Sequence, residues 1–208
     1  RTERELLGGA GLAAGKRLAC RARASGDVTV TVVEPSREVR VVTAAEQPPV
    51  AIEDPSARGV TAIGTVVGAA IDIGTTTIAV QLLDLRTGEV LATAGDLNAQ
   101  RVCGADVRSR GARAMADGGP ELRRLVTTQL EELLAQALRT AGLSSARLAA
   151  AVIVGNTAMT GLLLGEDVSP LGEAPYAGAP VADARLSGGE LGLTSAPALD
   201  VVVLPGVS

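Results

Sequence analysis

The 208-residue sequence is 47% hydrophobic and carries a net charge of −4, which supplies the core of one domain or parts of two and excludes a disordered chain. Tyr176 is its one aromatic residue and it has no His, so the core must be built from small aliphatic side chains, and imidazole catalysis and His metal ligation are excluded within this stretch. No concentrated Lys/Arg face points to nucleic acid or an anionic membrane, no apolar run approaches the roughly 20 residues of a membrane span, and the expected compartment is the cytoplasm.

From Thr2 to Ala14 the pattern predicts a short helix interrupted by Gly8, Gly9 and Gly11. Two glycine patterns there fail on context. Gly9 to Ala14 has the outline of a dinucleotide-binding turn but no strand before it, and Gly11 to Lys16 is one residue short of a P-loop, with Arg17 where a hydroxyl should meet Mg²⁺. Lys16, Arg17, Arg21 and Arg23 read as a solvated rim. Alternating Val and Thr from Val28 to Val33 predict a strand. Cys20 and Cys103 are the two cysteines; a disulfide, two free thiols, or one ligand and one spectator all fit their spacing. Pro35, Pro48, Pro49 and Pro55 among scattered charges mark a linker over 35–65. It separates a first region, 1–34, from a second, 66–208.

The second region opens with an apolar run, Val66 to Ile73, then the turn Gly74-Thr75-Thr76-Thr77, then strands over Ile78 to Leu85 and Glu89 to Ala94 joined by Arg86-Thr87-Gly88. This predicts an antiparallel meander. A loop from Gly95 to Gly104 leads to a short helix over Ala105 to Met115. Pro120 then opens a long helix, with Leu122, Leu125, Val126, Leu130, Leu133, Leu134, Ala137 and Leu138 on one face and Gly142 at its end. A buried-type strand over Leu148 to Val154 runs into Gly155-Asn156 and a helix from Thr157 to about Leu164. Beyond Gly165 the sequence is rich in Gly, Pro and Ala until a strand begins at Val201 to Leu204. A meander followed by helix, strand and helix is an α/β arrangement.

Three motifs carry chemistry. Asp72-Ile73-Gly74-Thr75-Thr76-Thr77 places a carboxylate just before a Gly and three hydroxyl residues between two strands. Such a turn can aim N–H and O–H groups at a phosphate while the carboxylate holds Mg²⁺ through water. An ordinary hairpin turn with a capping Asp fits equally. Gly155-Asn156-Thr157 opens a helix after a buried strand, where N–H groups face an anion; a plain N-cap accounts for it as well. Asn98-Ala99-Gln100-Arg101 and Gly104-Ala105-Asp106-Val107 read as an Asx turn and a helix N-terminus, with polar groups that could face a ligand or partner.

Taken in order, GAAIDIGTTT over Gly68 to Thr77, Leu83-Asp84-Leu85 with Thr87-Gly88-Glu89-Val90-Leu91, and the runs LNAQ, GADVRSR and VGNTAM resemble the ASKHA-type reductive activators of corrinoid proteins. Arg17-Leu18-Ala19-Cys20 followed by Gly26-Asp27-Val28-Thr29-Val30 resembles the last cysteine and closing strand of their plant-type [2Fe-2S] domain. The resemblance implies the end of a β-grasp ferredoxin domain over 1–34 and, over 66–208, the first part of an actin-like, ribonuclease H-like nucleotide-binding lobe.

By that resemblance Asp72 is the carboxylate that positions Mg²⁺, Gly74, Thr75 and Thr76 hold the phosphates of Mg-ATP, with Thr77, Gly155 and Asn156 as further candidate nucleotide-binding residues, and Cys20 is the fourth ligand of the cluster. The other three cluster ligands are expected upstream of Arg1, in a C-x₄-C-x₂-C run, and the second phosphate and adenosine motifs beyond Ser208. The implied activity is ATP-dependent transfer of an electron from the cluster to the Co(II) corrinoid of a methyltransferase system's corrinoid protein, regenerating Co(I). The loop from Asn98 to Asp106 is expected to touch that partner, and a homodimer is compatible.

Two departures stand out. Cys103 occupies a position usually aromatic and reads as a packing substitution, and the stretch between Cys20 and Asp72 is short compared with members that insert a middle domain, which the chain is expected to lack. The same turn would also serve a small-molecule kinase of the ASKHA superfamily, which the Cys20 segment opposes. A non-catalytic, ATP-binding actin-like scaffold is the third reading.

Overall fold

The computed structural model describes residues 3–18, 26–27, 29, 31, 66–171 and 183–205. The chain divides into two compact units, Arg1–Val39 and Arg40–Ser208.

In the first unit, α1 (Glu3–Ala13) is two helical pieces meeting at Gly8, whose φ of 66° breaks the helix where the glycine run predicts an interruption. The end of α1 is closed by Lys16 N donating to Gly11 O at 3.0 Å and by the Arg17 guanidinium donating to Leu12 O and Lys16 O, a cation on carbonyls at a helix C-terminus. Both glycine decoys fall within or just after this helix, with no strand–turn geometry. Cys20, the linker 35–65 and most of the expected strand over Val28 to Val33 lie outside the described residues; Thr29 and Thr31 are described and are not in a strand.

In the second unit the strands are β1 (Val67–Ile73), β2 (Thr77–Asp84), β3 (Val90–Leu97), β4 (Leu148–Gly155), β5 (Ala184–Ser187) and β6 (Asp200–Val203). They form one sheet in the order β3-β2-β1-β4-β6-β5. The meander β1–β2–β3 is antiparallel, β4 runs parallel to β1, β6 parallel to β4, and β5 returns antiparallel on the edge. The helices are α2 (Val107–Arg113), α3 (Gly119–Ala141), α4 (Thr157–Leu164) and α5 (Gly188–Leu191).

Side-chain alternation divides the sheet into two unlike faces. Ile71 and Ile73 of β1, Ile78, Val80 and Leu82 of β2, Ala151 and Ile153 of β4, and Val201 and Val203 of β6 are buried in one core. Alternate positions lie on the other face, where Ala70 and Asp72 are exposed and Val152 and Val154 are each 40% exposed. α3 packs on β2 and β3, and α4 packs on α3 and β4. The helical period of α3 delivers Leu122, Val126, Leu130, Leu133, Leu134, Ala137 and Leu138 to that core, each full-sized side chain contributing on the order of 1.5–3 kcal/mol. Pro120 lies in its first turn and Gly142 ends it in the left-handed conformation.

The C-terminal part differs most from the sequence expectation. Residues 165–208 predict one strand, whereas β5 and α5 precede it, capped by Ser187 and Glu190 in a capping box. The loop expected from Gly95 to Gly104 is shorter, because β3 runs to Leu97 and a 3-10 turn covers Ala99–Cys103. α2 passes through a π turn, Ala114–Gly118, directly into α3. Among the described residues no helix is long and apolar enough to cross a membrane.

Candidate functional site

The parallel strands β1, β4 and β6 end on the same edge of the sheet, the edge where open α/β sheets hold ligands. Ile73 pairs with Gly155 there, which brings the β1–β2 turn beside the N-terminus of α4. Small residues permit the approach: a Cβ on Gly155 would lie 2.8 Å from Ile73 O, and one on Gly74 would lie 2.8 Å from Thr77 O. The turn is closed by Gly74 N donating to Thr77 O at 2.9 Å.

Asn156 joins the two motifs. Its Oδ1 accepts from Met159 N at 3.0 Å and so caps α4, while its Nδ2 donates to Thr75 Oγ1 at 3.0 Å. The N-cap reading is therefore realised, and the same amide also fixes the hydroxyl of the turn. A helix leaves its first amides without intrahelical acceptors, so this corner gathers N–H and O–H groups from two elements. Asp72 lies two residues before Gly74 on the open face, between Ala79 of β2 and Val154 of β4; its backbone belongs to the sheet, and its carboxylate makes no hydrogen bond or ion pair with the described residues. Thr76 is exposed beside it and Thr75 and Thr77 are half-buried. Asp72, Gly74, Thr75, Thr76, Thr77, Gly155 and Asn156 thus share one corner of the fold; Cys20 lies outside the described residues. Among those residues, no group of three or more His, Cys, Asp or Glu side chains could hold a metal ion.

Three polar side chains stand behind the turn: Asn98 and Gln100 come from the run read as an Asx turn that could face a ligand or partner, and Arg110 ends GADVRSR, where no motif assigns it a role of its own. Asn98 is fully buried; its Oδ1 accepts from Gln100 N at 2.9 Å, the Asx turn expected there, and its Nδ2 donates to Gly74 O at 2.8 Å. Asn98 N also donates to Thr76 O at 2.8 Å. Gln100, equally buried, donates to Leu122 O at 2.9 Å and ties the loop to α3. Arg110 of α2 is 0% exposed. Its Nε donates to Gly104 O at 2.9 Å, Nη1 to Gln100 Oε1 and Met159 Sδ, and Nη2 to Thr75 O at 2.6 Å. Burial lowers its pKa, against the pull of Cys103 and Asp106. The spacing of Val107, Arg110, Gly111 and Ala114 puts a charge on the apolar stripe of α2, and that is the signal that could have found it.

Asn98 and Gln100 thus face inward, and Arg101 and Val102, the latter 77% exposed, form the outer surface of this loop. Asp106 caps α2 by accepting from Ser109 N at 2.8 Å, which lowers its pKa. Cys103 is a free thiol, half-buried against the core. A separate groove of about 720 Å³ between α3, α4 and α5, lined by Pro120, Arg123, Thr127, Leu162 and Leu191 among others, shares no residue with this corner.

Residues 67–208 match the RACo middle region family. Among solved structures, a reductive activator for corrinoid, iron-sulfur protein is similar at 37% identity and a TM-score of 0.66. The match covers 71% of this chain and 24% of that one, so this chain spans about a quarter of that protein's length. No curated protein matches.

Proposed function

The chain belongs to the RACo family, matched over its middle region, and on that premise we propose that the protein is an ATP-dependent reductive activator of a corrinoid protein. The observation that carries the nucleotide part is the corner itself. The Gly74–Thr77 turn, the first turn of α4 and the Asp72 carboxylate meet at the carboxyl edge of the parallel strands. The mixed sheet, with its meander followed by parallel strands, supports the ASKHA-type, actin-like assignment for 66–208. The region 1–34 is assigned to the end of a ferredoxin-type domain and 35–65 to a linker.

The donor set fits Mg-ATP. Thr75 and Thr76 supply backbone amides and Thr76 an exposed hydroxyl, Gly155 and Asn156 open the helix N-terminus opposite, and Asp72 is placed to orient Mg²⁺ through water, in keeping with an ion that keeps several waters and takes few carboxylates. Bound Mg-ATP would supply free energy, and a [2Fe-2S] cluster, for which Cys20 would be one ligand, would supply the electron that returns Co(II) to Co(I). One electron moved uphill costs about 1.4 kcal/mol per 59 mV, so the residues of this corner must bind the nucleotide differently in two arrangements of the protein for that free energy to be used.

The deciding experiment is Mg-ATP titration of the protein expressed from its complete reading frame, with D72N beside the wild type and reduction of a Co(II) corrinoid protein followed optically. D72N is expected to weaken Mg-dependent nucleotide binding at least about tenfold, one Mg²⁺-positioning carboxylate being worth 1.4 kcal/mol or more, and to abolish ATP-dependent reduction. Equal Mg-ATP affinity in D72N would make the turn an ordinary hairpin.

A further inference from the structure

Successive carbonyls of the β1–β2 turn are each met from the protein side. Gly74 O receives Asn98 Nδ2, Thr75 O receives Arg110 Nη2, and Thr76 O receives Asn98 N. Asn98 and Arg110 also converge on Met159 Sδ, so they form one cluster. In a trans peptide the C=O and N–H point in opposite directions. Holding the carbonyls of Gly74 and Thr75 inward therefore turns the amides of Thr75 and Thr76 outward, and neither amide donates to an acceptor among the described residues.

Charge supplies the second observation. Arg110 is fully buried, yet its partners are three uncharged oxygens and a thioether. The carboxylate that acts on it at longer range, Asp106, is engaged in capping α2. A buried guanidinium with no carboxylate partner carries an uncompensated desolvation penalty, and carbonyl capping alone needs only a neutral donor. The peptide unit between Thr75 and Thr76 lies between this cation and the open edge of the sheet.

We infer that Arg110, with Asn98, is a positioning residue for anion binding: through the Thr75–Thr76 peptide it aims and polarises the amides that meet phosphate, and the bound anion supplies the counter-charge that Arg110 lacks. The inference deepens, and rests on, the reading of this corner as a phosphate site. Binding an anion and ordering the segment Gly104–Arg110 are then one coupled event, although no residue of that segment touches the ligand.

The experiment is Mg-ATP titration of wild type, R110Q and R110K in the protein from its complete reading frame. R110Q keeps a donor and removes the charge; it is expected to bind Mg-ATP at least about tenfold more weakly, the scale of one charge-assisted hydrogen bond, and R110K to recover part of the loss. Wild-type affinity in folded R110Q would overturn the inference and leave the nucleotide site standing, whereas failure of the wild type to bind Mg-ATP would overturn both. Should R110Q not fold, hydrogen exchange of the wild type decides. Protection by Mg-ATP extending to residues 104–110 as well as 74–77 carries the coupling, and protection confined to 74–77 overturns it.

Discussion

The meander contains two hairpin turns of similar size held in opposite ways. The β2–β3 turn is closed mainly by its own residues: Asp84 Oδ1 accepts from Arg86 N at 2.7 Å, Gly88 N donates to Asp84 O at 2.8 Å, Asp84 N to Glu89 O at 2.9 Å, and Glu89 N to Thr87 Oγ1 at 3.2 Å, with one backbone tie outside it, Leu85 N donating to Val66 O at 2.9 Å. The β1–β2 turn takes its side-chain partners from residues 24, 35 and 81 positions away, namely Asn98, Arg110 and Asn156. A turn that consumes its own polar groups is a connector. A turn whose carbonyls are held by distant donors keeps its amides for something else, and its shape depends on the rest of the fold.

The largest break in that contrast should come from N98A. Gly74 O loses its side-chain donor and Gln100 N its acceptor inside a buried site, at about 2–3 kcal/mol by chemical denaturation, together with weaker Mg-ATP binding. If N98A weakened neither, the distant anchoring of the first turn would be incidental. At the second turn G88A should cost only about 1 kcal/mol, because Gly88 has a φ of 74° that a side chain resists, and it should leave Mg-ATP affinity unchanged. A nucleotide effect there would erase the distinction between the turns.

The smallest effect tests whether a long-range tie away from the site behaves as plain stability. Glu131 accepts from Thr194 Oγ1 at 2.7 Å and Ser195 N at 2.6 Å, and its pKa is lowered, first by the Thr194 hydroxyl. A depressed carboxylate stabilises the fold above its unfolded pKa, and that contribution is lost as pH falls through the folded value. E131Q should therefore be less stable than wild type by at most about 1 kcal/mol at neutral pH, and the gap should close below about pH 4. Thermal melts over that range read it, with Mg-ATP affinity unaltered.

The meander, α3 and α4 were legible because each rests on local chemistry. The apolar run over Val66 to Ile73, the Pro120 start and Gly142 stop around a 3.6-residue stripe, and Asn156 as a cap state their structure in a few neighbouring residues. The corner was legible as a motif, Asp72 to Thr77 with Gly155 and Asn156, because it follows a strand in both cases. What supports it was not. Asn98 satisfies an Asx turn locally, and only the fold shows its other end on Gly74 O. Arg110 reads as one more arginine in GADVRSR until α2 turns it inward. β5 and α5 escaped because four-residue elements in a Gly- and Ala-rich stretch have too few residues to display a period.

The core has an optical consequence. Every side chain in the buried cluster is aliphatic or a thioether, and Tyr176 is the one aromatic in the sequence, so these 208 residues contribute almost nothing to near-ultraviolet absorption or fluorescence. Adenine bands and cluster charge-transfer bands would stand against a dark background. A tryptophan placed at exposed Val102 would report on the loop in front of Arg110 without competition from elsewhere in this region.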